Sequence, residues 1–295
     1  MKCPHCNACN TGKPRATNIG STFKKNGTFK RKSDSRIIQR FLCKRCHKSY
    51  SYALNDPAYQ HNKRRINFVL KKLLASNVSC RRAAILLGVS RTTIARKLIY
   101  LGHICKQENE KFIATYNQNI ECIQFDELQT IEHTKCKPLS IAVAISTATR
   151  KILGFEIAKM PATGYLARIS RKKYGFRADE RQEKLTKLFL KLKPVVSPFM
   201  KCYSDKHPYY QPIITSLFPK STHIQTKSDK ATVIGQGELK KNQRDPLFLI
   251  NHTLAMLRAN INRLIRRTWC TTKDPNRLRD HLHIYMAIHN SILTS

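Results

Sequence analysis

Two aspartates that follow short apolar runs are the residues whose types and spacing best suit catalysis. The run from Glu121 to Glu127 contains Asp126, and the run from Met200 onward ends at Asp205. Hard cations such as Mg²⁺ and Mn²⁺ prefer carboxylate oxygens and keep open positions for phosphate. Two such aspartates on adjacent strands would form a metal site, whereas Asp126 alone could be a turn carboxylate paired with a Lys or Arg.

Cysteines near the N-terminus form a second candidate metal centre. Two C-x-x-C pairs can together present four thiolates to one tetrahedral Zn²⁺, and they consist of Cys3, Cys6, Cys43 and Cys46. Cys9, His5 or His47 could replace one ligand, and four unligated thiols are the alternative. The pairs predict a zinc ribbon over residues 1–52, while the six scattered cysteines (Cys80, Cys105, Cys122, Cys136, Cys202 and Cys270) are expected to be reduced thiols.

The charge of the chain indicates its partner. The 295 residues include 55 Lys plus Arg against 18 Asp plus Glu, a formal net charge of +37. Self-repulsion on this scale favours binding to a polyanion, and nucleic acid is the expected one. The competing polyanion is a membrane surface, but the sequence has neither a long apolar run nor a signal peptide. We therefore expect a soluble, cytoplasmic protein with no membrane partner.

Residues 61–103 have the pattern of a helix-turn-helix. Ser79 and Ser90 suit helix N-caps, and Gly88 suits the turn between the two helices. The second helix is expected to expose residues that can meet base edges and phosphates, namely Arg91, Thr92, Thr93, Arg96 and Lys97. A plain helical hairpin is the alternative, and the polar residues 104–117 are expected to be a linker.

The elements that must position the two aspartates lie in residues 118–295. Three apolar runs, the one ending near Asp126 and those at 139–145 and 151–158, predict antiparallel strands that bring Asp126 to the edge of a sheet. A helix over 178–192, the Asp205 strand and a weaker strand over 222–226 follow. A long helix is then expected from about Pro246, capped by Asp245, to about Arg267. The predicted fold class is a multidomain α+β and α/β protein whose largest domain is a mixed sheet flanked by helices.

This order of elements resembles the RNase-H-like catalytic fold of DDE transposases and retroviral integrases. The cysteine pairs, the helix-turn-helix and the segment Phe125-Asp126-Glu127 resemble, more specifically, transposases of the bacterial insertion element one family. The resemblance covers nearly the whole chain, and the region from Leu257 to Thr268 is its most informative part. It implies phosphate-binding arginines on the late helix, at Arg258, Arg263, Arg266 and Arg267.

The chain differs from the family at the third catalytic position. Where the family has a glutamate, this chain has Asn251, which offers an amide oxygen but no charge. Asp245, Glu238 and His252 remain alternatives for that role. Because Asp245 and Asn251 are expected at different angles around one helix, they are not expected to exchange roles.

The resemblance implies a transposase with Asp126, Asp205 and Asn251 in its catalytic site. With Mg²⁺ or Mn²⁺, such an enzyme cuts the ends of an insertion sequence and joins them to target DNA, acting as a dimer or higher assembly on double-stranded DNA in the bacterial nucleoid. One alternative is a DNA-binding regulator with an inactive catalytic domain. Another is a stand-alone nuclease that acts on RNA or RNA–DNA hybrids, since one fold can support several activities.

Overall fold

A computed structural model describes residues 3–6, 22–32, 35–59, 61–226, 245–265 and 269–293. The chain divides into two compact units, residues 1–69 and 70–295, and the boundary falls within the helix α1, Ile66–Leu74. The second unit thus contains the predicted helix-turn-helix from residue 70 onward together with the predicted catalytic region.

The first unit contains a small antiparallel sheet. Its strands are β1 (Phe23–Lys30), β2 (Ile37–Cys43) and β3 (Ser49–Ser51), arranged in that order. The core beneath them is made of Cys3, Phe23, Cys43 and Tyr50, with the two aromatic rings meeting edge to face. A core this small buries little apolar surface, so a further crosslink would add to its stability.

Two capped helices begin the second unit after α1. They are α2 (Cys80–Leu86) and α3 (Arg91–Ala114). Ser79 accepts a hydrogen bond from the N–H of Arg82, and Ser90 accepts one from the N–H of Thr93, which confirms both predicted caps. Gly88 has φ +60° in the turn between the helices, a conformation that glycine adopts without strain.

The predicted linker over residues 104–117 is wrong as far as Ala114, because α3 continues to that residue. Cys105, Asn109 and Ile113 recur at every fourth position and are all buried. Asn109 also donates a hydrogen bond to the carbonyl of His283, 3.0 Å away. The polar residues between them occupy the outer face of the helix, so their composition alone suggested a linker.

A mixed five-stranded sheet forms the centre of the second unit. Its strands are β4 (Ile120–Glu132), β5 (Thr134–Ser146), β6 (Ile152–Lys159), β7 (Val196–Asp205) and β8 (Thr222–Thr226). The order is β6-β5-β4-β7-β8; the first three are antiparallel, while β7 runs parallel to both β4 and β8. The three antiparallel strands and the weaker strand at 222–226 match the sequence predictions.

Helices cover the two faces of this sheet. They are α4 (Tyr165–Tyr174), α5 (Arg181–Leu192), α6 (Tyr210–Leu217), α7 (Phe248–Asn260) and α8 (Pro275–Ile292). On one face, Phe125 packs against Phe189 of α5 and Tyr210 of α6. Successive side chains of a strand point to opposite faces, so Gln124 and Asp126 lie on the other face. The sequence had indicated α5 and α7 but not α4, α6 or α8.

The late helix is shorter than predicted. α7 ends at Asn260, and a 3₁₀ turn follows over Asn262–Leu264. Ile261 adopts extended dihedral angles of φ −108° and ψ 103°, and the carbonyl of Asn260 accepts a hydrogen bond from the N–H of Asn77. The chain therefore turns, and this turn buries Ile261 and Leu264 in the core.

Candidate active site and metal centre

The four cysteines of the C-x-x-C pairs converge in the first unit. All their sulfur atoms lie within 4.8 Å of one another, and the Cys3–Cys46 and Cys6–Cys43 sulfur distances are both 3.7 Å. Zn–S bonds of about 2.3 Å in a tetrahedron require sulfurs about 3.8 Å apart, so the cluster fits Zn²⁺. Among the described residues the cluster includes neither His5 nor His47, and Cys9 lies outside the described residues.

Backbone hydrogen bonds lower the pKa of the Cys43 thiol, which favours metal binding. Burial alone would raise the pKa of its thiol, but N–H groups of Cys46 and Arg45 donate to the sulfur and lower that pKa to about 7. The N–H of His47 also closes a tight turn on the carbonyl of Cys43, with a distance of 2.8 Å. A thiol that deprotonates near neutral pH is well suited to bind Zn²⁺.

Asp126 lies within the central strand of the large sheet. We expected this residue near a strand end at the sheet edge, which is wrong because β4 continues to Glu132 with β5 and β7 on either side. Parallel pairing between β4 and β7 reaches Gln124 and Tyr203. Two residues farther along each strand are Asp126 and Asp205. The strand register therefore places these two aspartates side by side on the same face.

Burial and neighbouring carboxylates raise the pKa of both aspartates. Burial is the main cause that raises the pKa of Asp126 to about 7, and the charge of Asp205 raises it further. The pKa of Asp205 is also raised, chiefly by burial. One carboxylate oxygen of Asp205, Oδ1, is buried without a hydrogen-bond partner among the described residues. A divalent cation would supply that missing partner and offset the repulsion, so the pair fits Mg²⁺ or Mn²⁺.

Gln124 joins the central strand β4 to the start of α7, a role that the sequence analysis did not predict. Its amide nitrogen donates to the carbonyl of Pro246 at 2.9 Å, and its amide oxygen accepts from the N–H of Ile250 at 3.0 Å. Gln124 is buried and lies on the same strand face as Asp126. The signal in the sequence was a polar residue inside an apolar run, two positions before an aspartate.

The candidates for the third catalytic position differ in their contacts. Asn251 donates its amide to Asp245 at 2.8 Å, so our expectation that the two side chains point apart is wrong. Asp245 precedes α7 in a turn, where it also accepts from the N–H of Leu247. On the next position of α7, His252 Nδ1 lies 2.7 Å from a guanidinium nitrogen of Arg150. Glu238 lies outside the described residues.

Glu127 is held on the opposite face of the sheet. The hydroxyl of Ser140 donates to it at 2.6 Å, and the hydroxyl of Tyr209 donates to its other oxygen. These contacts engage both carboxylate oxygens away from the face of Asp126.

The predicted DNA contacts fall in different environments. On α3, Arg91, Thr92 and Arg96 are exposed and Thr93 is half-buried, but Lys97 is buried. The expectation that Lys97 is exposed is wrong because it lies one turn after Ile94 on the buried side of the helix.

The arginines predicted to bind phosphate near the late helix lie in different parts of the structure. Arg258 on α7 lowers the pKa of Asp126 by its charge, which places it near the aspartate pair. Arg263 lies beyond α7 in the 3₁₀ turn, near His281, whose pKa its charge lowers. Arg266 and Arg267 lie outside the described residues.

None of the helices in the described ranges is long and apolar enough to cross a membrane.

No protein-family model matches the chain, and no curated protein does. Among solved structures, the chain is similar to the crystal structure of a pre-cleavage Mos1 transpososome. Sequence identity is 12%, the match covers 76% of this chain and 74% of that chain, and the TM-score is 0.23.

Proposed function

We propose that the chain is a DNA transposase that cuts and joins phosphodiester bonds with a divalent metal at Asp126 and Asp205. The observation that supports this proposal is the parallel register of β4 and β7, which ends at Gln124 and Tyr203, two residues before the half-buried Asp126 and Asp205. One oxygen of Asp205 has no hydrogen-bond partner among the described residues. The succession of three antiparallel strands, a helix, the Asp205 strand and a late helix also agrees with the RNase-H-like fold suggested by the sequence.

Each group near the pair has a defined task in this proposal. Asp126 and Asp205 would hold Mg²⁺ or Mn²⁺, and Arg258 would bind a DNA phosphate close to them. When bound, the metal would activate the attacking water or 3′-hydroxyl and stabilise the leaving oxygen. Asn251 would offer its amide oxygen to the site, since its nitrogen is already engaged by Asp245.

The remaining elements would bring DNA to the site. The capped helices α2 and α3 would place Arg91 and Arg96 in a groove at the ends of the element. The cysteine cluster would hold Zn²⁺ and stabilise the first unit. Because two element ends and the target DNA must be held together, a homodimer or larger assembly is expected during the reaction.

A DNA-binding regulator derived from a transposase is the second candidate. Asn251 favours it, because it stands where the resemblance implies a third metal-binding carboxylate and its amide carries no charge. A regulator would bind the same DNA without cutting it.

Cleavage and joining of labelled duplexes made from the DNA that flanks the coding sequence would test the proposal. We expect Mg²⁺-dependent products from the wild type, and none from Asp126→Asn or Asp205→Asn. Asp179→Asn is the matched control, because Asp179 is an exposed aspartate paired with Arg181. Specific DNA binding by the wild type without cleavage would favour the regulator, while absence of both would refute the two candidates.

A further inference from the structure

A cleft remote in sequence from the aspartates is not used by the proposed chemistry. It lies where the start of α2, the 3₁₀ turn after α7, the loop before α8 and α8 itself meet, and its volume is about 610 Å³. This volume is within the range of small-molecule sites. The lining residues that bear on its ligand are Arg81, Asn262, Arg263, Trp269, Lys273 and His281.

Trp269 forms an exposed aromatic wall of the cleft. It is the sole tryptophan of the chain, and its side chain is fully exposed, at 101% relative accessibility. A large indole contributes nothing to the core from such a position. A flat exposed aromatic ring beside basic residues is the usual platform on which a nucleic-acid base stacks.

Three basic side chains give the cleft its charge. Within the described part of the chain, Arg81, Arg263 and Lys273 form no salt bridge. Asp274, which follows Lys273, is engaged by Arg277 instead. The cations are therefore available for an anionic ligand such as a phosphate.

Two residues that line the cleft carry a buried hydrogen-bond acceptor. His281 is 1% exposed, and its Nε2 lies 2.6 Å from the carbonyl oxygen of Leu74. A carbonyl can only accept, so Nε2 carries the hydrogen and Nδ1 of the neutral ring is an acceptor. Burial lowers the pKa of His281 to about 4, which keeps the ring neutral at neutral pH. This Nδ1 and Oδ1 of Asn262 are both buried without a hydrogen-bond partner among the described residues.

The exposed indole, the three cations and the two acceptors together fit one kind of ligand. A backbone phosphodiester alone would satisfy the cations but has no hydrogen to donate to the two acceptors. A nucleotide supplies a negative charge, a flat face and, where the base bears an amino group, N–H donors on its edge. A base within a duplex has both its face and its pairing edge occupied, so the ligand must be unpaired.

We propose that this cleft binds one unpaired nucleotide of the bound DNA, with the base stacked on Trp269, the phosphates at Arg81, Arg263 and Lys273, and the base edge donating to Asn262 and His281. The proposal depends on the DNA binding assigned above. It further implies that adenine, cytosine and guanine, whose exocyclic amino group can donate two hydrogen bonds, bind better than thymine, which has only the N3–H donor.

Trp269 makes the test direct because its fluorescence reports on this cleft alone. The full zinc-loaded chain is titrated with a duplex from the flanking DNA, fully paired or with one extra adenine, while fluorescence and affinity are measured. We expect the unpaired adenine to quench Trp269 and to tighten binding about tenfold, as stacking of one base on an aromatic ring does. An extra thymine should give a smaller gain in affinity than adenine.

Variants separate stacking from other effects of the extra base. Trp269→Ala should bind the paired duplex as the wild type does but lose the preference for the unpaired adenine, whereas Trp269→Phe should retain most of it. Because Trp269 is exposed, neither change disturbs the core. Equal affinity for both duplexes, a preference that survives in Trp269→Ala, or equal quenching by pyrophosphate would overturn the proposal and leave the DNA binding assigned above intact. Failure of every duplex to bind would instead refute that DNA binding and the cleft proposal together.

Discussion

Replacing Gln124 by leucine should detach the start of α7 from the central strand. The change removes two hydrogen bonds, to the carbonyl of Pro246 and from the N–H of Ile250, and leaves both backbone groups without their partner in a buried site. Each buried group left without a partner costs about 1–3 kcal/mol. The two together should lower the local free energy of opening by about 3 kcal/mol, which is roughly a hundredfold in the opening equilibrium.

Hydrogen exchange of the peptide that spans α7 measures this change. We expect exchange at Ile250 and its helical neighbours to accelerate roughly a hundredfold in Gln124→Leu. Gln129→Leu is the matched control, because Gln129 is an exposed glutamine of the same strand and its replacement should alter stability by less than about 0.5 kcal/mol. Equal exchange in the two variants would refute the role assigned to Gln124.

Three other predictions concern stability. Chelation of zinc, or Cys43→Ser, should make the first unit susceptible to limited proteolysis while the second unit stays resistant, since structural zinc sites supply the free energy of folding; equal susceptibility with and without zinc would contradict this. The pKa of His281 falls from 6.5 to about 4 on folding. The unfolded chain therefore binds more protons, and the free energy of unfolding should fall by about 3 kcal/mol as pH drops through that window; urea titrations should show a shallower pH dependence for His281→Gln. Gly102→Ala would bring a Cβ within 2.5 Å of the Cβ of Asp280, so the same titrations should show a loss of about 1–3 kcal/mol.

Local signals in the sequence predicted local structure well. Ser79 and Ser90 were identified as N-caps because a short hydroxyl side chain satisfies the free N–H groups of a first helical turn, and both do so. The strand at Thr222–Thr226 was also predicted within its observed bounds. Such features depend on neighbouring residues and need no knowledge of tertiary contacts.

Features that depend on distant contacts were missed. α8 mixes histidine, arginine and apolar residues, and it is buried only because α3 and β6 pack along it. The same packing makes residues 104–114 helical although their composition is polar. Lys97 was expected on the exposed face, but the helical register places its position toward the core.

The sequence indicated the two aspartates of the candidate site but not the contacts that surround them. Acids at the ends of apolar runs indicated Asp126 and Asp205, and the strand pairing brings them to one face. The contact between Asn251 and Asp245 was not predicted, because the helix was expected to begin at about Pro246 next to its cap Asp245, whereas α7 begins at Phe248 and Asp245 lies in the turn before it. Gln124 acts through backbone groups more than a hundred positions away, which no local pattern encodes.

Binding of Mn²⁺ to the full chain, followed by electron paramagnetic resonance at pH 8, tests the central claim most directly. At that pH the Asp126 carboxyl, with its pKa of about 7, is largely ionised and able to bind a cation. The wild type and Asp179→Asn should bind Mn²⁺ alike, while Asp126→Asn and Asp205→Asn should each bind it at least about tenfold more weakly, as loss of a charged ligand from a metal site implies. Unchanged Mn²⁺ affinity in either of those two variants would contradict a metal site shared by the two aspartates.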